Sequence, residues 1–184
     1  MTSVAPSRIL VAGIGNIFLG DDGFGVETAR RLQARALPEG VTVQDFGIRG
    51  LDLAYALLDP YDAVIFVDTA SRGESAGTLY LIEPEIDPSA TATLDAHGMD
   101  PVKVLALARA LGAQPARTWI VGCEPGFMPL ADSEDVVMEL TPRVEAAVGE
   151  AVKMVEELTG RVVRGHGMDG DCALFGKGGE LLCG

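Results

Sequence analysis

The sequence predicts an α/β fold in which helices cover both faces of a mainly parallel sheet. Five short apolar runs of strand length alternate with segments whose apolar residues recur at helical spacing. Strands and helices that alternate in this way form right-handed crossovers, and hence a mainly parallel sheet. The first run, residues 9–13, leads into a glycine-rich turn that is followed by two adjacent carboxylates. We therefore expect a three-layer α/β/α domain with five strands, organised around this first turn.

Prolines mark where several of the predicted helices begin or end. Pro60 stops the second helix, because the residue before a proline disfavours helical backbone. Asp100-Pro101 and Thr141-Pro142 each combine an N-cap residue with a first-turn proline, and they open the third and fourth helices. The predicted strands cover residues 9–13, 41–46, 63–67, 78–82 and 118–122, and the predicted helices cover residues 26–37, 51–58, 101–111 and 142–158.

Composition excludes several classes of function. A chain of 184 residues, 48% of them hydrophobic, is long enough for one domain with a buried core. The formal net charge of −13 argues against binding to nucleic acid or to anionic membranes, since both need clustered Lys and Arg. No apolar run reaches membrane-spanning length, and the first residues do not resemble a signal peptide. The three cysteines show no C-x-x-C spacing, which indicates a reducing cytoplasm.

The last segment of the chain, residues 161–184, differs from the rest. It is rich in glycine and has little hydrophobic periodicity, so we expect a flexible tail after an α/β domain that spans residues 1–160. The tail repeats the tetrapeptide His-Gly-Met-Asp of residues 97–100 at residues 166–169, and these two copies hold both histidines of the chain. Nothing in the sequence suggests a helix seam or a swapped strand, and a monomer is therefore predicted.

Three polar residues are predicted to meet at one edge of the sheet. Asp22 follows the first strand, Asp68 ends the third strand, and His97 follows the fourth. In a doubly wound sheet, functional sites form beyond the carboxyl ends of the strands. Two carboxylates and one imidazole suit a divalent cation that accepts both oxygen and nitrogen ligands, such as zinc or nickel. The sequence therefore predicts a metal-binding site made of these three residues.

Each of these residues also has a purely structural interpretation. Asp21 or Asp22 is suited to cap the helix that follows the first strand. If Asp21 is the cap, Asp22 stays free for another role. Asp68 can accept hydrogen bonds from loop amides, and His97 can orient a loop. Glu124 follows the fifth strand and is expected to be a solvated loop acid.

The first turn also resembles a dinucleotide-binding fingerprint, although the match is poor. After Gly13 and Gly15, the position of the third glycine holds Phe18. The two carboxylates that follow would place negative charge where a pyrophosphate binds. Asp45, near the end of the second strand, is placed like the acid that binds ribose. A nucleotide-binding enzyme is therefore kept as a minor alternative.

Four sequence motifs occur in a fixed order along the chain. They are G-I-G-N-I-F-L-G-D-D-G-F-G-V at the first turn, V-I-F-V-D at the third strand, A-H-G-M-D before the third helix and V-G-C-E-P after the fifth strand. Together they resemble the NiFe-hydrogenase maturation proteases. The resemblance covers residues 8–158, which is nearly the whole predicted domain, and it does not include the tail.

This resemblance implies a specific function. Members of the family are endopeptidases that remove a short C-terminal extension from the precursor of the hydrogenase large subunit after nickel has been inserted. The family fold is a twisted, mainly parallel five-stranded sheet between helices. The family's metal-binding trio, matched by motif, falls on Asp22, Asp68 and His97, which are then both the metal ligands and the catalytic residues. Many members carry Glu at the first of these positions, and Asp22 is one methylene shorter.

The mechanism implied by the resemblance uses water as the nucleophile. The sequence has no G-x-S-x-G motif and no evident Cys–His pair. A metal held by the trio would polarise the scissile carbonyl and lower the pKa of bound water. We expect nickel to be supplied by the precursor, so that the trio detects loaded substrate, and we expect no organic cofactor. The main alternative is a nickel-binding or delivery module that uses the same trio without peptidase activity.

Overall fold

The computed structural model describes residues 6–85, 100–114, 116–130 and 136–165. These residues form a five-stranded sheet with the strand order β2-β1-β3-β5-β4. The first four strands in this order are parallel, and β4 pairs antiparallel with β5 at one edge. The strands are β1 (Ile9–Ile14), β2 (Val41–Gly47), β3 (Ala63–Thr69), β4 (Leu79–Ile82) and β5 (Arg117–Cys123), and the helices are α1 (Phe24–Gln33), α2 (Gly50–Ala56), α3 (Pro101–Ala110) and α4 (Pro142–Val163).

Side chains from alternate strand positions build two separate cores, one on each face of the sheet. Ile9 and Val11 of β1 join the core beneath α1 and α4. Leu10 and Ala12 of the same strand join the core beneath α2 and α3. This period of two follows from strand geometry, and burial on both faces explains why the strands read as continuous apolar runs. The predicted three-layer α/β/α fold is therefore confirmed.

Two predicted helix ends were wrong. The first helix ends at Gln33 rather than at residue 37, and the chain then turns before Pro38. The last helix continues through Gly160 to Val163, beyond its predicted end at residue 158. Val162 is 8% exposed and packs in the core that also contains Val155, so tertiary packing outweighs the low helix propensity of glycine. The boundary predicted at residue 160 therefore falls inside a helix, and residues 166–184 lie outside the described chain.

None of the described helices combines the length and the apolar character needed to cross a lipid bilayer.

Close contact between α1 and the sheet depends on Gly25. A Cβ atom added at this residue would lie 2.1 Å from the carbonyl oxygen of Val67 and 2.2 Å from that of Ile14. Both distances are far below any real contact, and both atoms belong to the backbone of central strands. Helix α1 can therefore lie against β1 and β3 only while this position is glycine, and the same approach fixes the turn that precedes the helix.

We expect Gly25→Ala to destabilise the fold by about 3 kcal/mol or more, because backbone of two central strands has to move. Chemical denaturation followed by circular dichroism measures this change. Gly149→Ala is the matched control, since a Cβ atom there meets nothing within 4 Å and the residue lies inside α4. The control should gain up to about 1 kcal/mol of stability from helix propensity. Equal stabilities for the two variants would contradict the close-packing argument.

Candidate active site

The carboxyl ends of the parallel strands meet at one edge of the sheet, and two of the predicted site residues lie there. Asp68 is the sixth residue of β3, next to Gly122 of β5 in the strand register. Asp22 lies in a short 3-10 helix, Gly20–Gly23, between β1 and α1. Since β1 pairs directly with β3, the two aspartates are neighbours although 46 positions separate them in the chain. The structure therefore brings Asp22 and Asp68 together as predicted.

Asp22 is half-buried and hydrogen-bonded on both carboxylate oxygens. Its Oδ2 accepts a hydrogen bond of 2.8 Å from the backbone N–H of Asn16, and its Oδ1 accepts one of 3.4 Å from the Thr69 hydroxyl. Burial raises the pKa of Asp22, and the hydrogen bonds from Asn16 and Thr69 offset part of that rise. In a dinucleotide-binding protein, the backbone amides of this turn would bind a phosphate. Here the Asn16 amide already donates to the Asp22 carboxylate, which argues against dinucleotide binding.

Asp68 is 8% exposed and accepts one described hydrogen bond, of 2.8 Å, from the backbone N–H of Thr69 to Oδ1. Burial raises the pKa of Asp68 to about 8, and the charges of Asp22 and Asp100 add to this rise against the effect of the Thr69 amide. Asp68 faces no Lys, Arg or His partner among the described side chains. A buried carboxylate next to a second one is stabilised by a proton or by a cation.

Thr69 connects the two acids. Its backbone N–H donates to Asp68 and its hydroxyl donates to Asp22, so one residue at the end of β3 orients both carboxylates. Groups that hydrogen-bond to metal ligands commonly orient them and adjust their basicity. The oxygen donors of the two acids, together with their lack of a described cationic partner, are chemically suited to a divalent cation.

The third predicted residue, His97, lies outside the described residues. Asp100 is three positions further along the chain, and its charge acts on Asp68. Asp100 is also the predicted N-cap of α3, since its side chain accepts a hydrogen bond of 2.9 Å from the N–H of Val102. The start of α3 therefore lies near Asp68. Within the part of the chain that the structure describes, no three His, Cys, Asp or Glu side chains group as metal ligands would.

The prediction that Asp21 or Asp22 caps α1 was wrong. The N-cap of α1 is Gly23, and no described side chain caps that helix. The Asp21 side chain is 0% exposed and points instead toward the segment that follows β5. It accepts hydrogen bonds from the backbone N–H groups of Gly126 and Phe127 at 2.7 and 2.8 Å, and from the backbone N–H and hydroxyl of Thr141 at 2.6 and 2.9 Å. Asp21 therefore fixes this segment to the turn that carries Asp22.

The expectation that Glu124 is solvated was also wrong. Its carboxylate is buried, at 5% exposure, and accepts a hydrogen bond of 2.6 Å from the Tyr80 hydroxyl. The backbone N–H groups of Arg72 and Gly73 donate to it at 2.7 and 3.2 Å, and that of Glu74 adds to them. Burial alone would raise the pKa of Glu124, but these hydrogen bonds outweigh burial and lower it. Glu124 therefore fixes the loop that follows Asp68 and Thr69.

Sequence patterns gave little warning of these two buried acids. An acid that accepts backbone amides from a distant loop looks like any other loop or cap residue in a sequence. For Asp21, the only signal is its place beside Asp22 in the D-D pair, where one of two adjacent carboxylates must face away from the other. For Glu124, the signal is its position immediately after the buried strand β5. Both residues support the site without being members of the predicted trio.

Cys123, in contrast, is a small core residue. Its side chain is 0% exposed at the end of β5. Burial, together with the charges of Asp21 and Glu124, raises the pKa of the Cys123 thiol to about 12. The thiol therefore stays protonated at neutral pH and is unsuited to act as a nucleophile.

Comparison with known proteins places the chain in a family. The family model for hydrogenase maturation proteases, HycI, matches residues 26–158, which is most of the described domain. The chain belongs to the hydrogenase maturation protease family.

Relatives of known name agree with this assignment. The hydrogenase expression/formation protein HupD of Rhodobacter capsulatus is 30% identical over 178 residues, covering 93% of this chain and 82% of HupD. The hydrogenase 2 maturation protease of Escherichia coli is 31% identical over 150 residues, covering 80% of this chain and 88% of that protein.

Solved structures support the same conclusion. The hydrogenase maturating endopeptidase HybD from Escherichia coli superposes with a TM-score of 0.68 at 28% identity, covering 84% of this chain and 93% of that one. The family model and both Escherichia coli proteins are named as proteases or endopeptidases. This family member is therefore a peptidase, and the alternative of a delivery module without peptidase activity is disfavoured.

We expect Glu124→Gln to destabilise this protease by about 2 kcal/mol at pH 7. The four groups that donate hydrogen bonds to the Glu124 carboxylate would then face a neutral amide. The pKa of Glu124 is lower in the folded than in the unfolded chain, so its contribution is complete above about pH 4.3 and is lost as the pH falls through the folded pKa. Urea denaturation between pH 3 and pH 7 measures the difference between wild type and variant.

The difference in unfolding free energy between wild type and Glu124→Gln should decrease as the pH is lowered from 7 to 3. Glu150 is an exposed acid on α4 that pairs with Lys153 among the described residues. Glu150→Gln should differ from wild type by less than about 0.5 kcal/mol at every pH. If the difference in unfolding free energy for Glu124→Gln stayed constant down to pH 3, the Glu124 carboxylate would not be stabilised in its ionised form.

Proposed function

We propose that this protease removes the C-terminal extension from the precursor of a NiFe-hydrogenase large subunit, and that Asp22, Asp68 and His97 form its active centre. The observation that carries the proposal is the Asp22–Asp68 pair. A half-buried and a buried carboxylate, both of raised pKa, lie at the carboxyl edge of the sheet and are oriented by one residue, Thr69. Functional sites of open parallel sheets form at this edge, and perturbed acids are common in them.

The chemistry of the site favours attack by water on the scissile carbonyl. The one described cysteine, Cys123, is buried and protonated, so it cannot supply a thiolate. Two aspartates and a histidine would hold a divalent cation, which polarises a carbonyl and increases the acidity of bound water. In this proposal Thr69 keeps the carboxylates of Asp22 and Asp68 oriented toward that cation.

Nickel is proposed to be part of the substrate rather than a resident cofactor. Three protein ligands leave coordination positions open, and those positions suit a metal ion that is also held by the precursor. Recognition of the precursor and detection of its nickel are then the same event, so unloaded precursor is left uncut. No organic cofactor enters the proposal. A monomer in a reducing cytoplasm is the expected form of the enzyme, on the basis of its cysteine pattern and its sequence.

The test is a cleavage assay on purified large-subunit precursor, with and without loaded nickel, in which mass spectrometry identifies the products. We expect nickel-dependent loss of one discrete C-terminal peptide. Cleavage that proceeds equally without nickel would retain the peptidase and remove nickel detection. If authentic precursor remains intact in both states while the protein binds nickel tightly by itself, the proposal fails in favour of nickel delivery.

We expect Asp22→Ala and His97→Ala each to lower the cleavage rate by at least about 100-fold, because each removes a proposed ligand. Circular dichroism and thermal unfolding check that both variants stay folded. Glu150→Ala is the control, an acid-to-alanine change on the exposed face of α4, and it should cleave at the wild-type rate. Full processing by either site variant would remove that residue from the active centre.

A further inference from the structure

Half of the large hydrophobic side chains that are exposed among the described residues belong to two short regions near the opening turn. One is the turn itself, and the other is the segment between β5 and α4. Monomeric proteins rarely leave large apolar patches in water without a function for them. We call these side chains the apolar platform; they are Phe18, Phe127, Met128, Leu130, Val136 and Met138, which are 39–76% exposed.

Backbone hydrogen bonds hold these regions together. The N–H of Gly20 donates to the carbonyl of Val137 at 2.6 Å, and the N–H of Val137 donates to the carbonyl of Phe18 at 3.0 Å. These bonds form a parallel bridge between Leu19 and Val137. The bridged residues are partly buried, whereas Phe18, Val136 and Met138 on either side of them are exposed. The bridge therefore brings Phe18 close to Val136 and Met138, and all three side chains face water.

Phe127 is attached to the same turn from the other side. Its carbonyl accepts a hydrogen bond of 3.0 Å from the N–H of Asp21, and its own N–H donates to the Asp21 carboxylate at 2.8 Å. Its carbonyl oxygen and ring carbon Cδ1 lie within 3.6 Å of the Cβ position of Gly20. The Phe127 side chain nevertheless stays 53% exposed. The apolar platform is thus positioned in advance by buried polar contacts, while its apolar surface faces water.

The platform lies beside the proposed active centre. Asp22 follows Asp21 directly in the turn that carries Phe18. Gly23 and Ile17 of the same turn line a groove of about 440 Å³ together with Met138, Leu140 and the charged residues Glu27, Arg30, Glu139 and Glu145. A chain segment lying on the platform would therefore pass along the turn that carries Asp22. A peptidase must hold the polypeptide on either side of the bond that it cuts, and a surface continuous with its acids is placed for that purpose.

We propose that the apolar platform docks an apolar segment of the large-subunit precursor and presents the adjoining scissile bond to Asp22 and Asp68. This inference rests on the proposed function. Docking is expected to be apolar rather than electrostatic, since the six platform side chains carry no charge and the whole chain carries a net charge of −13. Aromatic residues and methionine, which make up four of the six platform residues, are also enriched at protein interfaces relative to the rest of the surface.

The test uses two double variants, Phe18→Ser/Val136→Ser and Phe127→Ser/Met138→Ser. We expect each to raise KM for nickel-loaded precursor by about tenfold or more, while the rate at saturating precursor stays within about twofold, because a docking surface contributes uniform binding. Raising the salt concentration should change KM little, unlike the case of a charged interface. Leu111→Ser is the control, since Leu111 is an exposed apolar residue at the far end of α3 and should not alter KM.

Direct binding separates this inference from the proposed function. Precursor binding is measured by surface plasmon resonance on Asp22→Ala protein, with the platform intact or carrying either double variant. Weaker binding by the double variants supports docking even if no cleavage is seen. Unchanged KM and unchanged binding would overturn the docking proposal while leaving the peptidase in place. If sedimentation shows instead that the double variants convert a dimer to a monomer with KM unaltered, the platform is a surface between two copies of this chain, and the proposal is wrong.

Discussion

The arrangement of the site depends on one buried carboxylate, that of Asp21. Its two oxygens accept four hydrogen bonds from two places that lie more than 100 positions further along the chain. Two of the donors belong to the segment after β5, and two belong to Thr141, the N-cap residue of α4. Hydrogen bonds to an ionised acceptor in a buried site are among the stronger contacts in proteins. The opening turn, the loop beside it and the start of α4 therefore form one unit.

Glu124, which follows β5, stabilises a second loop in the same way. It binds the loop that follows β3, so that Thr69 at the end of that strand is held where it donates to both aspartates. Glu124 and the two site acids thus have opposite pKa shifts. Donors surround Glu124 and lower its pKa, whereas Asp22 and Asp68 receive fewer hydrogen bonds and have raised pKa values.

The fold was predictable from sequence because its signals are local and repeated. Apolar runs such as residues 63–67 indicate strands buried on both faces, and Asp100-Pro101 marks a helix start by itself. The meeting of Asp22 and Asp68 was predictable for the same reason, since parallel strands deliver their carboxyl ends to one edge. What Asp21 and Glu124 do was not predictable, because their partners are backbone amides, and every sequence has those. The end of α4 was missed since glycine signals a stop locally, while packing of Val162 decides otherwise.

Asp21 and Asp22 are adjacent and chemically identical, but the structure allows them very different evolutionary freedom. The Asp21 carboxylate is enclosed at 0% exposure with donors at 2.6–2.9 Å, so neither a longer acid nor an amide fits without losing contacts. Asp22 is half-buried, and its carboxylate accepts two described hydrogen bonds rather than four. Divergence in the pair should therefore accumulate at the second position. An alignment that treated the two as equivalent would confuse the residue that builds the site with the residue that faces it.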